Sequence, residues 1–188
     1  EVEIDVNDQG ESEGKLLGPA RASAYRSVVA RMKYLNIDRP DIAFAVKELA
    51  HKMCKPNVDD EIRVSKLARY LKGRPRAVLW YRYQSDPKHL QGYTDSDWAG
   101  RRRTRRSTSG GRLMYGSHYN KGWPKTQATI ARSSAEAELY AAVKTSAELL
   151  GMLSSYRDFG VTLQCGILGG ASAAWYNPTQ RYWKDTAY

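Results

Sequence analysis

From residue 22 to residue 73 the apolar positions recur at the three-to-four spacing of helices, and after Pro75 that spacing gives way to short runs of strand formers. A first helix is expected over Ser23–Leu35. Pro40 suits the opening position of a second, where its missing N–H would find no partner anyway. Ile42, Val46, Leu49, Ala50 and Met53 then fall on one face, and Pro56 ends the helix. A third is expected from about Asp59 to Lys72, with Ile62, Leu67, Ala68 and Leu71 inward and Gly73 as its stop. Ala77–Tyr83 and Leu90–Asp95 read as strands, and Gly111–Tyr115 and His118–Trp123 as a hairpin around Gly116-Ser117. Ser133–Leu150 is the strongest helix, expected to pack Tyr140, Val143, Ala147 and Leu150 on the sheet. Val161–Leu168 reads as a short buried strand.

Strands followed by a helix and another strand make a mixed α/β sheet with packed helices, preceded here by a small helical segment. The expected organisation is a polar linker or cut end over 1–20, a helical segment over 21–76, a sheet domain over 77–170 and an aromatic tail over 171–188. The tail carries Trp175, Tyr176, Tyr182, Trp183 and Tyr188 without periodicity.

With 188 residues, 41% of them hydrophobic, the chain has material for a core. Its formal net charge of +10 points to a polyanionic partner, because lysines and arginines gain affinity by displacing counterions from phosphates. Cys54 and Cys165 make no disulfide framework, and no Cys/His cluster has zinc-ligand spacing. His51, His89 and His118 are scattered without a neighbouring nucleophile. The acidic N-terminus is unlike a secretion signal and no apolar run reaches membrane-spanning length, so an intracellular location, cytoplasmic or nuclear, is expected.

The candidate chemistry lies in carboxylates within this basic chain. On a strand, Tyr93, Asp95 and Asp97 share a face, and two carboxylates there repel unless a cation or donor intervenes. Hard Mg²⁺ takes oxygen ligands from separate elements. The plainer reading of Asp97, beside Trp98-Ala99-Gly100, is a loop cap. Ser133-Ser134-Ala135-Glu136 reads as a capping box, which gives Glu136 a structural task and leaves Glu138, near the positive end of the helix dipole, as the better ligand. Arg101, Arg102, Arg103, Arg105 and Arg106 put five arginines in six residues. A solvated loop is the plainer reading; phosphate contact through forked guanidinium bonds is the sharper one, with Ser107, Thr108 and Ser109 adding hydroxyl donors.

Three further stretches join these motifs: Tyr25-Arg26-Ser27-Val28-Val29, Asp38 through Val46, and Ala68-Arg69-Tyr70-Leu71-Lys72-Gly73. Together with Tyr93 through Gly100, Arg106 through Gly110 and Ser133 through Glu138, their order and spacing resemble copia-type long-terminal-repeat retrotransposon Pol polyproteins. The resemblance places the end of the reverse transcriptase region first and the ribonuclease H domain after it. It implies a ribonuclease H-like fold that hydrolyses the RNA strand of RNA–DNA hybrids with Mg²⁺ or Mn²⁺, within a longer polyprotein. By motif position Asp95 is the first-strand carboxylate and Glu138 the helix carboxylate, and both are catalytic and metal-ligating candidates; Asp97 is a further metal-ligand candidate.

The chain also departs from that pattern. The family carries an Asp at the end of the strand after the helix, where this chain reads Leu163-Gln164-Cys165-Gly166-Ile167-Leu168, so that Gly166 or a neighbour stands in its place. Asp97, Glu136 and Asp185 are the acidic residues left to replace it. Loss of a few kcal/mol of transition-state stabilisation slows a reaction roughly a hundredfold or more, so the expectation is a degenerate nuclease or, alternatively, a non-catalytic nucleic-acid-binding remnant.

Overall fold

The structure, a computed structural model, describes residues 14–101 and 104–169. Residues 1–13, Arg102, Arg103, the 171–188 tail and its Asp185 lie outside the described residues. The chain divides into two compact units, Glu1–Val78 and Leu79–Tyr188.

The first unit is helical: α1 (Pro19–Leu35), a 3-10 turn (Pro40–Ile42), α2 (Ala43–His51) and α3 (Val58–Gly73). α1 starts four residues before the expected Ser23, because Pro19 fits the opening turn after the N-cap Gly18. α3 opens on a closed capping box. Asn57 Oδ1 accepts from the Asp60 amide at 2.9 Å, and Asp60 Oδ2 accepts from the Asn57 amide at 3.1 Å. The box turns Asp60 inward, and Leu67 follows on the same buried face with Val64 and Leu71 packed beside it. Ile62 and Ala68, expected inward, are therefore exposed. Leu17, Tyr25, Val29, Met32, Ile42, Val46, Leu49 and Leu67 form the core.

Among the described residues, the buried polar side chains of this unit find partners. The Tyr25 hydroxyl donates to the Leu49 carbonyl at 2.8 Å, and burial pushes its pKa up to about 12. Arg39 grips Asp41 with a fork of 2.9 and 2.8 Å, and the Tyr70 hydroxyl adds a third bond at 2.9 Å. The Arg39 guanidinium, helped by Tyr70, holds the Asp41 carboxyl down at about 2.

Among the described residues, the second unit is a four-stranded mixed sheet with a helix: β1 (His89–Arg101), β2 (Arg106–Tyr115), β3 (His118–Thr126), α4 (Ser134–Asp158) and β4 (Gln164–Leu168). The strand order is β3-β2-β1-β4. β1 pairs antiparallel with β2 and parallel with β4. Leu90, Leu113, Leu149, Cys165 and Ile167 form the core beneath α4.

α4 buries Ala137, Ala141, Thr145 and Leu149, one residue per turn. The expected inward set differs: Tyr140, Val143, Ala147 and Leu150 are all exposed. Gly92 supplies the reason. A Cβ there would stand 2.7 Å from Leu149 Cδ1 and 2.8 Å from Thr145 Cγ2, so the bare glycine leaves room for these two side chains and the stripe that carries them faces β1. β4 starts later than the expected Val161. The Val161 amide instead bonds the Tyr156 carbonyl at 2.9 Å, closing the end of α4 around Gly160 at φ 78°.

Ala77–Tyr83, expected as a strand, joins no ladder. Side chains hold its second half instead. The Tyr81 hydroxyl donates to the Tyr119 carbonyl at 2.9 Å, and His118 Nε2 bonds the Arg82 carbonyl at 2.7 Å.

Candidate carboxylate site and nucleic-acid interface

The pleat of β1 sorts its residues. Leu90 is in the core, Gly92 meets α4, and the hydroxyls of Thr94 and Ser96 are buried on the same side. Tyr93, Asp95 and Asp97 alternate to the other face, where Arg112 of β2 stacks 4.7 Å from the Tyr93 ring centroid. Among the described residues of this unit, no helix covers that face.

Asp95 is exposed, and its Oδ1 accepts from the Ser96 amide at 2.8 Å. Asp97 is also exposed but turns onto the strand irregularity that follows it. A Cβ on Gly100 would meet Asp97 Oδ2 at 1.7 Å, so the carboxylate fills the space a side chain would take. Ala99 sits at φ 53° in that irregularity, and its amide donates to Ser107 Oγ at 3.1 Å. Asp97 thus packs against Gly100 in the local turn.

Ser133 is the N-cap of α4, accepting from the Glu136 amide at 3.1 Å. The reciprocal arm reaches one residue further than a capping box requires: Glu136 Oε2 accepts from the Arg132 amide at 2.7 Å. The Tyr140 hydroxyl donates to Glu136 Oε1 at 3.0 Å. The Arg132 amide, then Tyr140, hold this carboxyl below its ordinary range. Glu138 is exposed in the opening turns of α4, next to buried Ala137.

Gln127 fixes those turns, and nothing in the hydrophobic pattern marks it. It is buried between β3 and α4. Its Nε2 donates to Ser109 Oγ at 2.9 Å and to the Ala137 carbonyl at 2.8 Å, and its amide donates to the Ser107 carbonyl at 2.9 Å. Trp98 Nε1 adds a bond to the Ala131 carbonyl at 3.1 Å. The start of α4 is therefore tied to β1 and β2 by side chains that reach backbone carbonyls. Only a polar residue between a strand and a capped helix could have signalled Gln127, and that signal is common.

The basic stretch is divided. Arg101 ends β1 half-buried, Arg105 is exposed at φ 53°, and Arg106 is exposed at the start of β2. Arg102 and Arg103 lie outside the described residues. Ser107, Thr108 and Ser109, expected as loop donors, are buried residues of β2, because that strand begins five residues before Gly111. Ser107 and Ser109 spend their hydroxyls on Ala99 and Gln127.

β4 lies beside β1, but Gly166 pairs with Gln91, and the last pair is Tyr93 with Leu168. Gly166 therefore stands four residues, or about 13 Å, from the level of Asp95. Among the described residues, no group of three or more His, Cys, Asp or Glu could hold a metal ion.

The chain is 38% identical over 127 residues to an uncharacterized mitochondrial protein of Arabidopsis thaliana, covering 68% of this chain and 52% of that protein. It is 33% identical over 140 residues to the retrovirus-related Pol polyprotein from transposon RE1 of the same plant, covering 74% of this chain and 9% of the polyprotein. With the retrovirus-related Pol polyprotein from transposon TNT 1-94 of Nicotiana tabacum the identity is 32% over 138 residues, covering 73% of this chain and 10% of the polyprotein. This chain belongs to the copia-type retrotransposon Pol polyprotein family. No protein-family model and no solved structure matches it. The copia-type chain thus spans about half of the first relative and about a tenth of the Pol polyproteins. Among its described residues no helix is long and apolar enough to cross a membrane.

Proposed function

We propose that residues 77–170 of this Pol-family chain are a ribonuclease H-like domain. On this reading the domain descends from a divalent-metal nuclease for the RNA strand of RNA–DNA hybrids, and its site is degenerate. One observation carries the proposal. Asp95 stands on the open face of the central strand β1, Glu138 stands in the opening turns of the crossover helix, and β4 returns parallel to β1. Mg²⁺ or Mn²⁺ would need several oxygen ligands converging from such elements. The described residues do not fit that requirement, since Asp97 and Glu136 are committed to a turn and a cap and no three-ligand group forms. No catalytic step is therefore derived through a metal.

Nucleic-acid binding does not need that site. The net charge of +10 and the exposed Arg105 and Arg106 at the β1–β2 turn favour retention of a hybrid duplex through its phosphates. This also supports the second reading, a remnant that binds without cutting. The test is fluorescence anisotropy of a labelled RNA–DNA hybrid over a salt series. Affinity should fall steeply as salt rises, and Arg105→Ala with Arg106→Ala should lower the salt slope by roughly two. Affinity independent of salt would contradict phosphate binding.

A further inference from the structure

The segment between the helical unit and β1 has an unexpected construction. From Leu79 to Lys88 it belongs to no ladder, yet it is fastened to the turn between β2 and β3 at several points. Gln84 uses both ends of its amide. Nε2 donates to the Tyr115 carbonyl at 3.0 Å, and Oε1 accepts from the amide and the hydroxyl of Ser117, each at 2.9 Å. His118 bridges back: in the tautomer with the proton on Nε2, it donates to the Arg82 carbonyl and its Nδ1 accepts from Gln84 Nε2 at 3.0 Å. Tyr81 lies edge-on to the His118 ring with centroids 5.2 Å apart. Gly116, at φ 57°, is what lets Gln84 in, because a Cβ there would meet Gln84 Oε1 at 2.4 Å. A plain linker needs none of these ties.

The ties consume Tyr81, Gln84 and the backbone of Arg82. They leave out two flat rings and a cation. Trp80 is 77% exposed and Tyr83 is 99% exposed, with the exposed Arg82 between them. Large aromatic rings held in water on a fixed strap present apolar faces that a planar partner would cover at a gain. The partner's charge follows from the setting, a chain of net charge +10 with Arg82 between the rings. An acidic polymer with exposed aromatic faces meets both conditions. Duplex bases present edges and keep their faces stacked, whereas unpaired bases offer the face itself.

We propose that Trp80 and Tyr83 are a stacking platform for the bases of single-stranded nucleic acid, with Arg82 meeting the phosphate between them. The inference rests on the reading that the chain holds nucleic acid, but it adds a second site, apart from the β1–β2 turn, with a different ligand form. Base stacking on an aromatic ring tolerates sequence, so the platform takes DNA or RNA of any composition.

The test uses the full chain and two probes, a labelled oligothymidylate and a labelled RNA–DNA hybrid. Anisotropy should show oligothymidylate binding that falls roughly tenfold or more in the Trp80→Ala, Tyr83→Ala double variant. The Trp80→Phe variant should keep most of that affinity, and hybrid affinity should be unchanged in both. These side chains are exposed, so circular dichroism should report the same fold. Hybrid binding without any oligothymidylate binding by the wild type would overturn the platform and leave the hybrid reading standing. So would undiminished oligothymidylate binding in the double variant, or an equal loss for both probes. A wild type that sediments as a dimer, with a monomeric double variant, would assign the rings to a second copy and overturn it as well. Binding of neither probe would remove both readings.

Discussion

The two units of this chain treat buried polarity in opposite ways. In the helical unit the inward polar groups close on one another: Asp60 with Asn57, Tyr25 with the Leu49 carbonyl, Arg39 with Asp41 and Tyr70. Among the described residues, the buried side-chain atoms without a partner are all in the sheet unit: Thr94 Oγ1, Ser96 Oγ, Trp123 Nε1 and Gln127 Oε1. Two of these flank Asp95, and a third belongs to the residue that ties down the start of α4. A buried polar group without a partner costs about 1–3 kcal/mol, so such groups are retained in natural domains mainly where function or bound water uses them. The contrast teaches that the helical unit closes its buried polarity, whereas the sheet unit leaves hydroxyls open beneath β1, on the face opposite Asp95.

The largest effect that would test this contrast is at Gln127. Gln127→Met removes both Nε2 bonds that tie the start of α4 to β2, so it should cost the sheet unit about 1–3 kcal/mol. Hydrogen exchange should quicken in the first turns of α4 and leave α1 unchanged; equal quickening in both units would break the distinction. Next is Asn57→Ala, which opens the α3 capping box and should cost about 1 kcal/mol by urea denaturation.

Thr94→Val should act in the opposite direction. It keeps the shape and deletes an unpaired buried hydroxyl, so stability should hold or rise by up to about 1 kcal/mol. A loss larger than that would mean the hydroxyl has a partner in solution.

The smallest effect is a pH dependence confined to the helical unit. The Asp41 carboxyl, ordinarily near 3.8, is held at about 2 in the fold. A depressed carboxyl contributes stability above its unfolded pKa and loses it as pH falls through the folded value. Stability should therefore decline between about pH 4 and pH 2, and Asp41→Asn should flatten that decline in acid unfolding curves.

Much of the fold was legible because period and punctuation agreed. Pro40, Gly73 and the Ser133 cap mark real boundaries, and the Gly116-Ser117 hairpin is where the strand pattern breaks. The misreadings share a cause, which is that each was decided by a partner distant in sequence. The inward face of α4 depends on Gly92, over forty residues earlier, whose missing side chain leaves room for Thr145 and Leu149. The phase of α3 depends on Asn57 and Asp60 closing a cap, not on the most hydrophobic stripe. Ser107, Thr108 and Ser109 look like a hydroxyl-rich loop, and they become strand only because β1 and β3 flank them. At the site, the cap role of Glu136 was readable from spacing alone. Gln127 was not, since one amide between two elements carries no period.

Whether the carboxylate site still works is read most directly by incubating the folded chain with a labelled RNA–DNA hybrid in Mg²⁺ and in Mn²⁺, beside the Asp95→Asn variant, and resolving bound and cut species on gels. A degenerate site should give a retarded, uncut hybrid with either metal and no difference in the variant. Cutting that disappears in the variant would contradict degeneracy, because Asp95 would then belong to a working carboxylate site.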